Sequence, residues 1–216
     1  MNKFQEAGSE FKLVLEKILR DDSYSFLGLA DIAFRNAIDS KGASDQDKLL
    51  IKAYGKYLEI LSHDQQNQFA CLGIANVLAY FNKVDDAVEI YKLISQTNPS
   101  VHQAIMNQAH LSVGCRMFEL AINLYQIVLE KHKPNDLKTE MFLAKAYFLQ
   151  GDYEASKKIT LKLVARYPSN LSLRFNLALC LYEQAYKITN QEIRKSYQTI
   201  EAIGYLRQAQ KLFNFV

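Results

Sequence analysis

The stretch Ala87-Val88-Glu89-Ile90-Tyr91-Lys92-Leu93-Ile94 decides the fold, because its pattern comes back at a fixed interval. Ala121, Tyr125 and Val128 stand 34 residues further along, and Ala53, Tyr57 and Ile60 stand 34 residues earlier. A small residue, an aromatic four positions on and an aliphatic three beyond that share one side of an α-helix, on which neighbours are three and four apart. The period therefore marks the same helix three times. A second series runs upstream of the first: Ala75 and Ala109 are 34 apart, Ala144 follows after 35 and Ala178 after another 34. Each unit thus carries two helices. A fixed period of this length means stacked hairpins, none of which buries its apolar face alone.

The unit from Gln68 to about Val101 shows why the pair closes. Leu72, Ala75, Leu78 and Ala79 line its first helix, and Val84-Asp85-Asp86-Ala87 opens a second that carries Val88, Tyr91 and Ile94. Small Ala75 and Ala87 let two antiparallel axes approach, and Tyr91 fills the space toward the next unit. Asn98-Pro99 ends the second helix, since proline disfavours helical geometry in the residue before it and lacks the next N–H donor. The same punctuation recurs at Lys133-Pro134 and Tyr167-Pro168. In Gln150-Gly151-Asp152-Tyr153, glycine can turn left-handed to end one helix and aspartate can cap the next. The spacing predicts about eleven helices, near 2–20, 22–39, 46–62, 65–81, 83–96, 101–115, 117–132, 136–150, 152–166, 170–188 and 191–214.

Composition agrees with an all-α chain. Eight Gly and three Pro among 216 residues are too few to punctuate a sandwich of short strands, and 49% hydrophobic with 23% charged residues excludes a disordered tail. A net charge of +3, with both signs interleaved, gives no electrostatic footprint for nucleic acid. Cys71, Cys115 and Cys180 are odd in number and form no CxxC, which predicts buried thiols in a reducing compartment. No apolar run approaches the roughly 18 residues of a membrane span, and Met1-Asn2-Lys3-Phe4 lacks the apolar core of a signal peptide. The expectation is a protein neither secreted nor membrane-embedded.

Catalysis finds little support. His63, His102, His110 and His132 form no HExxH, and no cysteine stands at zinc-like spacing. Cys180, within Phe175-Asn176-Leu177-Ala178-Leu179-Cys180-Leu181, reads as a core thiol. Glycine-rich phosphate loops and GxSxG are absent. Asp21-Asp22 and Asp85-Asp86 stand at predicted helix starts, where negative charge meets the positive end of the helix dipole. Lys157-Lys158 and Arg194-Lys195 fall among acidic or polar neighbours, as solvated faces do. No catalytic residue, metal ligand or cofactor site is assigned.

These positions resemble the tetratricopeptide repeat, with its small residue in the first helix, glycine or a substitute at the turn, alanine and then an aromatic in the second helix, and proline at the end. The resemblance is strongest over 68–168. It departs where Cys71, Ile105, Glu140 and Arg174 replace the usual early aromatic, and where Ser156 and Thr160 replace alanine and aromatic. The resemblance implies an all-α solenoid of helix-turn-helix repeats in a right-handed superhelix. The expectation is one solenoid over 1–216, regular over 68–168 and irregular over 1–67 and 169–216. An insertion near Asp39 to Asp47 and an extension from Tyr182 to Ile200 account for the irregular parts. The apolar start (Phe11, Val14, Leu15, Ile18) and the end Leu212-Phe213-Asn214-Phe215-Val216 suggest a piece of a longer solenoid, with Phe213 and Phe215 meeting its continuation.

Some repeats of this family clamp an acidic peptide terminus with cations and amides from three successive first helices. Asn76, Asn107 and Lys138 match that clamp, but Leu72 and Phe142 stand where cations belong. More narrowly, Asp21-Asp22-Ser23-Tyr24-Ser25-Phe26-Leu27-Gly28-Leu29-Ala30-Asp31-Ile32, Gly73 to Ala79, Phe175 to Leu179 and the close from Leu206 to Phe213 resemble one family. It is the Cln-three-requiring protein nine family, large tetratricopeptide subunits of the RNA polymerase II-associated factor complex. What that resemblance implies is a nuclear, non-catalytic scaffold in transcription elongation and the linked histone modification. Its partners would be the other subunits, a parafibromin-like one included, and RNA polymerase II indirectly; no cofactor, small substrate, membrane or sequence-specific nucleic acid is implied. An adaptor in a chaperone, ubiquitin-ligase or RNA-processing assembly is the alternative. Candidate partner-binding side chains on first helices are Asn76, Tyr80, Asn107, His110, Lys138, Lys145 and Arg174.

Overall fold

The computed structural model describes residues 3–40, 42–191 and 195–214, and among these it contains eleven α-helices and no strand. They are α1 (Lys3–Lys17), α2 (Ser23–Asp39), α3 (Ala43–His63), α4 (Gln68–Tyr80), α5 (Val84–Thr97), α6 (His102–Gly114), α7 (Phe118–Lys131), α8 (Leu137–Gln150), α9 (Tyr153–Arg166), α10 (Leu171–Thr189) and α11 (Ser196–Phe213). The eleven expected helices are all present, and most boundaries move by one to three residues. The expected insertion is largely taken up by α3, which starts at Ala43 instead of 46 and runs for 21 residues. Helix α1 stops at Lys17, so Ile18, expected on its apolar side, lies beyond its end and is exposed. Arg194, Phe215 and Val216 lie outside the described residues.

The chain forms two compact units, Met1–Gln108 and Ala109–Val216. In the first, α2 pairs with α3 and α4 with α5, while α1 packs on α2 and α3 on α4. Small residues sit where the helices meet: Ala30, Ala37, Ala53 and Ala70 have no exposed surface, and Leu50, Ile60, Ile74 and Val77 close around them. In the second unit α7 packs on α8, α8 on α9, α9 on α10 and α10 on α11. There Leu177, Ala178 and Leu181 meet Ala209 of the last helix, with Val164, Tyr205 and Leu212 around them.

Helix starts follow the capping residues. Asp22, Asn67, Asp136, Asp152 and Asn170 each accept a hydrogen bond from the backbone N–H three residues on, satisfying one of the donors that every helix start leaves free. Asp85 and Asp86 lie in the first turn of α5, as the dipole favours. The hairpin turns share a left-handed residue in one register: Asn82 (φ 59°), Arg116 (φ 60°) and Gly151 (φ 89°).

Candidate functional site

Within each unit, buried tyrosines of second helices reach side chains of first helices. Tyr57, Tyr91 and Tyr125 are each no more than 2% exposed. Each hydroxyl ends on a side chain of a first helix: Tyr57 donates to Asp31 Oδ1 at 2.6 Å, Tyr91 donates to Asn76 Oδ1 at 2.7 Å, and Tyr125 lies 2.7 Å from His110 Nδ1. Burial pushes all three phenols well above their usual range, so they stay protonated. A protonated Tyr125 can donate to an unprotonated Nδ1, which places the imidazole proton on Nε2. Desolvation holds the His110 pKa below its ordinary value, and the Lys145 charge adds to the effect.

In the first unit, two of the expected binding residues are already engaged. Asn107 Nδ2 donates to Asn76 Oδ1 at 2.8 Å, so that one oxygen serves Tyr91 and Asn107 together and ties α4, α5 and α6. Tyr80 is exposed and meets Phe34 edge-on, ring centroids 5.4 Å apart. Leu72, at a clamp position where a cation is expected, is buried. Asn76 and Asn107 act here first as structural links.

In the second unit, His110 and Lys145 come together around Phe142. The Phe142 ring stands edge-on to His110 at 4.5 Å and nearly parallel to Tyr125 at 6.1 Å. Lys138 is exposed beside the capping carboxylate of Asp136 and helps to hold that group's pKa low, after the hydrogen bonds from Thr139. Arg174 is half-buried on α10. Arg166 of α9 pairs with Glu140 of α8, and Lys157 with Glu154 at 2.7 Å while lying over the Tyr205 ring. Arg166 and Lys157 are therefore committed within the unit.

The arrangement also contains a feature that the sequence signalled only indirectly. A cavity of about 410 Å³ opens beside Phe142 and Lys145, in the size range of ligand pockets. Ser156, Thr160 and Cys180 lie at its buried end, Leu163 and Leu173 line its sides, and exposed Leu149 and Asn176 rim it. Ser156 donates to the Ala144 carbonyl and Thr160 to the Ser156 carbonyl, and Ser156 Oγ lies 3.2 Å from Cys180 Sγ. Burial raises the Cys180 pKa and so favours the neutral thiol. Of the three thiols expected to be buried only Cys180 is, Cys71 being half-buried and Cys115 exposed just beyond the end of α6. The substitution of Ser156 and Thr160 for alanine and aromatic was the available signal; only the packing shows that it leaves a void. No group of three or more His, Cys, Asp or Glu suited to a metal is found among the described residues. Among the same residues, no helix is long and apolar enough to cross a membrane.

Comparison with known proteins agrees with this architecture. A tetratricopeptide-repeat family model matches residues 143–170, the hairpin of α8 and α9. RNA polymerase-associated protein CTR9 of Caenorhabditis elegans is 26% identical over all of this chain and 19% of its own length. The protein of that name in Saccharomyces cerevisiae is 26% identical over 94% of this chain and 21% of its own length, and the Arabidopsis thaliana CTR9 homolog is 24% identical over 89% and 18%. The chain thus spans about a fifth of the length of these curated relatives. Among solved structures, a tetratricopeptide repeat protein from Parabacteroides merdae aligns over 97% of this chain and 86% of its own, with TM-score 0.62 and 15% identity. YrrB, described as a TPR protein with an unusual peptide-binding site, aligns over 94% and 91% with TM-score 0.59 and 16% identity. The fold is an all-α solenoid of tetratricopeptide hairpins, and the chain is similar along its whole length to a segment of CTR9.

Proposed function

We propose that this chain is part of a non-catalytic scaffold that holds the subunits of an RNA polymerase II-associated factor complex together in the nucleus. Its work would serve transcription elongation and the histone modification linked to it. The single observation that carries this is the similarity to CTR9 proteins of three organisms, over 100%, 94% and 89% of the chain. The hairpin architecture supports the same assignment, because stacked helices leave a row of first-helix side chains for extended or helical segments of partners. Those partners are the other subunits, the parafibromin-like one among them, through which the polymerase is reached.

The side chains that meet partners are Tyr80 in the first unit and His110, Lys138 and Lys145 in the second, all exposed on first helices. Asn76, Asn107 and Arg174 complete the set, the two asparagines tying α4 to α6. A clamp for acidic peptide termini is disfavoured, since Leu72 is buried and Phe142 is engaged with His110 at positions where cations would be needed. Affinity purification of the full-length protein from its own cells tests the proposal. Recovery of polymerase-associated subunits is expected; recovery of heat-shock proteins, ligase subunits or RNA-processing factors in their place would overturn it.

A further inference from the structure

The repeat register explains the cavity beside Lys145. Tyr91 and Tyr125 each follow by fifteen positions the first-helix residue that meets their hydroxyl, Asn76 and His110 respectively. Fifteen positions after Lys145 stands Thr160, in the place of the aromatic. A ring at that register packs against the first helix of the following repeat: Tyr125 lies parallel to Phe142, and Tyr57 lies so close to Gly73 that no Cβ fits between them. At the Thr160 register the equivalent neighbour is Asn176, and Phe142, Lys145 and Asn176 all border the void. The cavity is the room of a missing aromatic ring.

From this we infer that the cavity is a docking pocket for a phenylalanine side chain of a partner polypeptide, with an acidic residue next to it in the partner held by Lys145. Three features select this occupant. The space follows a position that an aryl ring fills in the preceding registers. Its lining is largely apolar, from Phe148, Leu163, Leu173 and Leu179, and the Ser156 and Thr160 hydroxyls at its inner end already donate to backbone carbonyls, so an apolar ring suits it. At the rim, Lys145 is exposed, and no carboxylate among the described residues pairs with it. Its charge adds to the desolvation that lowers the His110 pKa. A partner carboxylate would complete that corner, in the pattern of an apolar anchor with a polar rim.

The pocket rests on the assignment of the chain as a partner-holding scaffold, but it is tested separately. The probe is a synthetic peptide, acetyl-Gly-Ser-Asp-Phe-Glu-Ser-Gly-amide, titrated into the methyl-labelled chain and followed by NMR at Leu163, Leu173 and Leu179. Saturable shifts at these methyls are expected, and the same peptide with alanine for phenylalanine should bind about thirtyfold more weakly, as loss of a hot-spot anchor does. T160Y refills the room from within and should abolish the shifts. K145E leaves the core untouched; it should weaken the acidic peptide about tenfold and favour a counterpart in which lysine replaces Asp and Glu. Equal binding of the alanine peptide, shifts confined to other methyls, or affinity unchanged in K145E would overturn the pocket, even if T160Y fails to fold. Binding of the peptide here without recovery of polymerase-associated subunits in the purification would sink the assembly and leave the pocket standing; the reverse result would sink the pocket alone.

Discussion

Arg116 holds a left-handed backbone, φ 60°, at the turn where the next repeat places Gly151 and the preceding one Asn82. A side chain in that region costs roughly 1–2 kcal/mol relative to glycine, and asparagine tolerates it better than arginine. Arg116→Gly should therefore raise stability by about 1 kcal/mol, part of which is returned through the greater freedom of the unfolded chain. A thermal unfolding midpoint unchanged or lowered in R116G would contradict this. Asp31 gives a second test at the same scale. It accepts from Tyr57, as Asn76 accepts from Tyr91, and desolvation raises its pKa against the opposing effect of that hydrogen bond. The folded chain thus holds the Asp31 proton more tightly than the unfolded chain. Its contribution to stability is fully present below the unfolded pKa and is lost as pH rises through the raised folded value. Asp31→Asn keeps an oxygen for Tyr57 without the charge. Because one side of Asp31 faces solvent, the gain at pH 7 should be only a few tenths of a kcal/mol. It should shrink toward zero as the pH approaches 4, when urea midpoints of the two proteins are compared.

At the scale of elements, the approach of α3 to α4 turns on a missing methyl. A Cβ on Gly73 would fall 2.7 Å from Cδ1 of the Tyr57 ring and nearer still to the rest of its edge. That ring is 1% exposed and anchored through its hydroxyl. Gly73→Ala gains about 1 kcal/mol of helix propensity but overpacks a filled site at a cost of roughly 1–3 kcal/mol. A net loss of stability is expected in thermal unfolding, and a stabilised G73A would show the ring free to move. The helices themselves were legible in the sequence because period, caps and proline punctuation agree: Asp152 caps α9, Gly151 turns left-handed before it, and Ala53, Ala87 and Ala121 are wholly buried. The site was legible only in part. Exposure of Lys145 and Tyr80 follows from helix periodicity, but the pairing of Asn76 with Asn107 depends on the angle between α4 and α6, which no local pattern encodes. The cavity was half visible: the sequence shows that Thr160 is too small for its register, and only the packing shows that Phe142, Phe148 and Leu173 do not close the gap.

Across the molecule, apolar surface matters more than charge. The net charge of +3 is small for a chain of this length, so long-range steering contributes little and partner capture falls to exposed apolar groups. Several exposed apolar groups stand on α11. Ala202 and Ala209 turn inward, while Tyr197, Ile200 and Ile203 stand on the side away from them, with Ile200 71% exposed. Contiguous apolar surface of this kind associates when left in water. The isolated chain should therefore self-associate as its concentration rises, with a weight-average mass in sedimentation equilibrium that climbs above one chain. Ile200→Lys with Ile203→Lys places charge on that face without touching the buried alanines, so it should hold the chain monomeric and leave its unfolding temperature within experimental scatter. A wild-type chain that stays monomeric at high concentration would contradict the expectation. So would a double variant that associates as before, because burial of these two side chains drives the association.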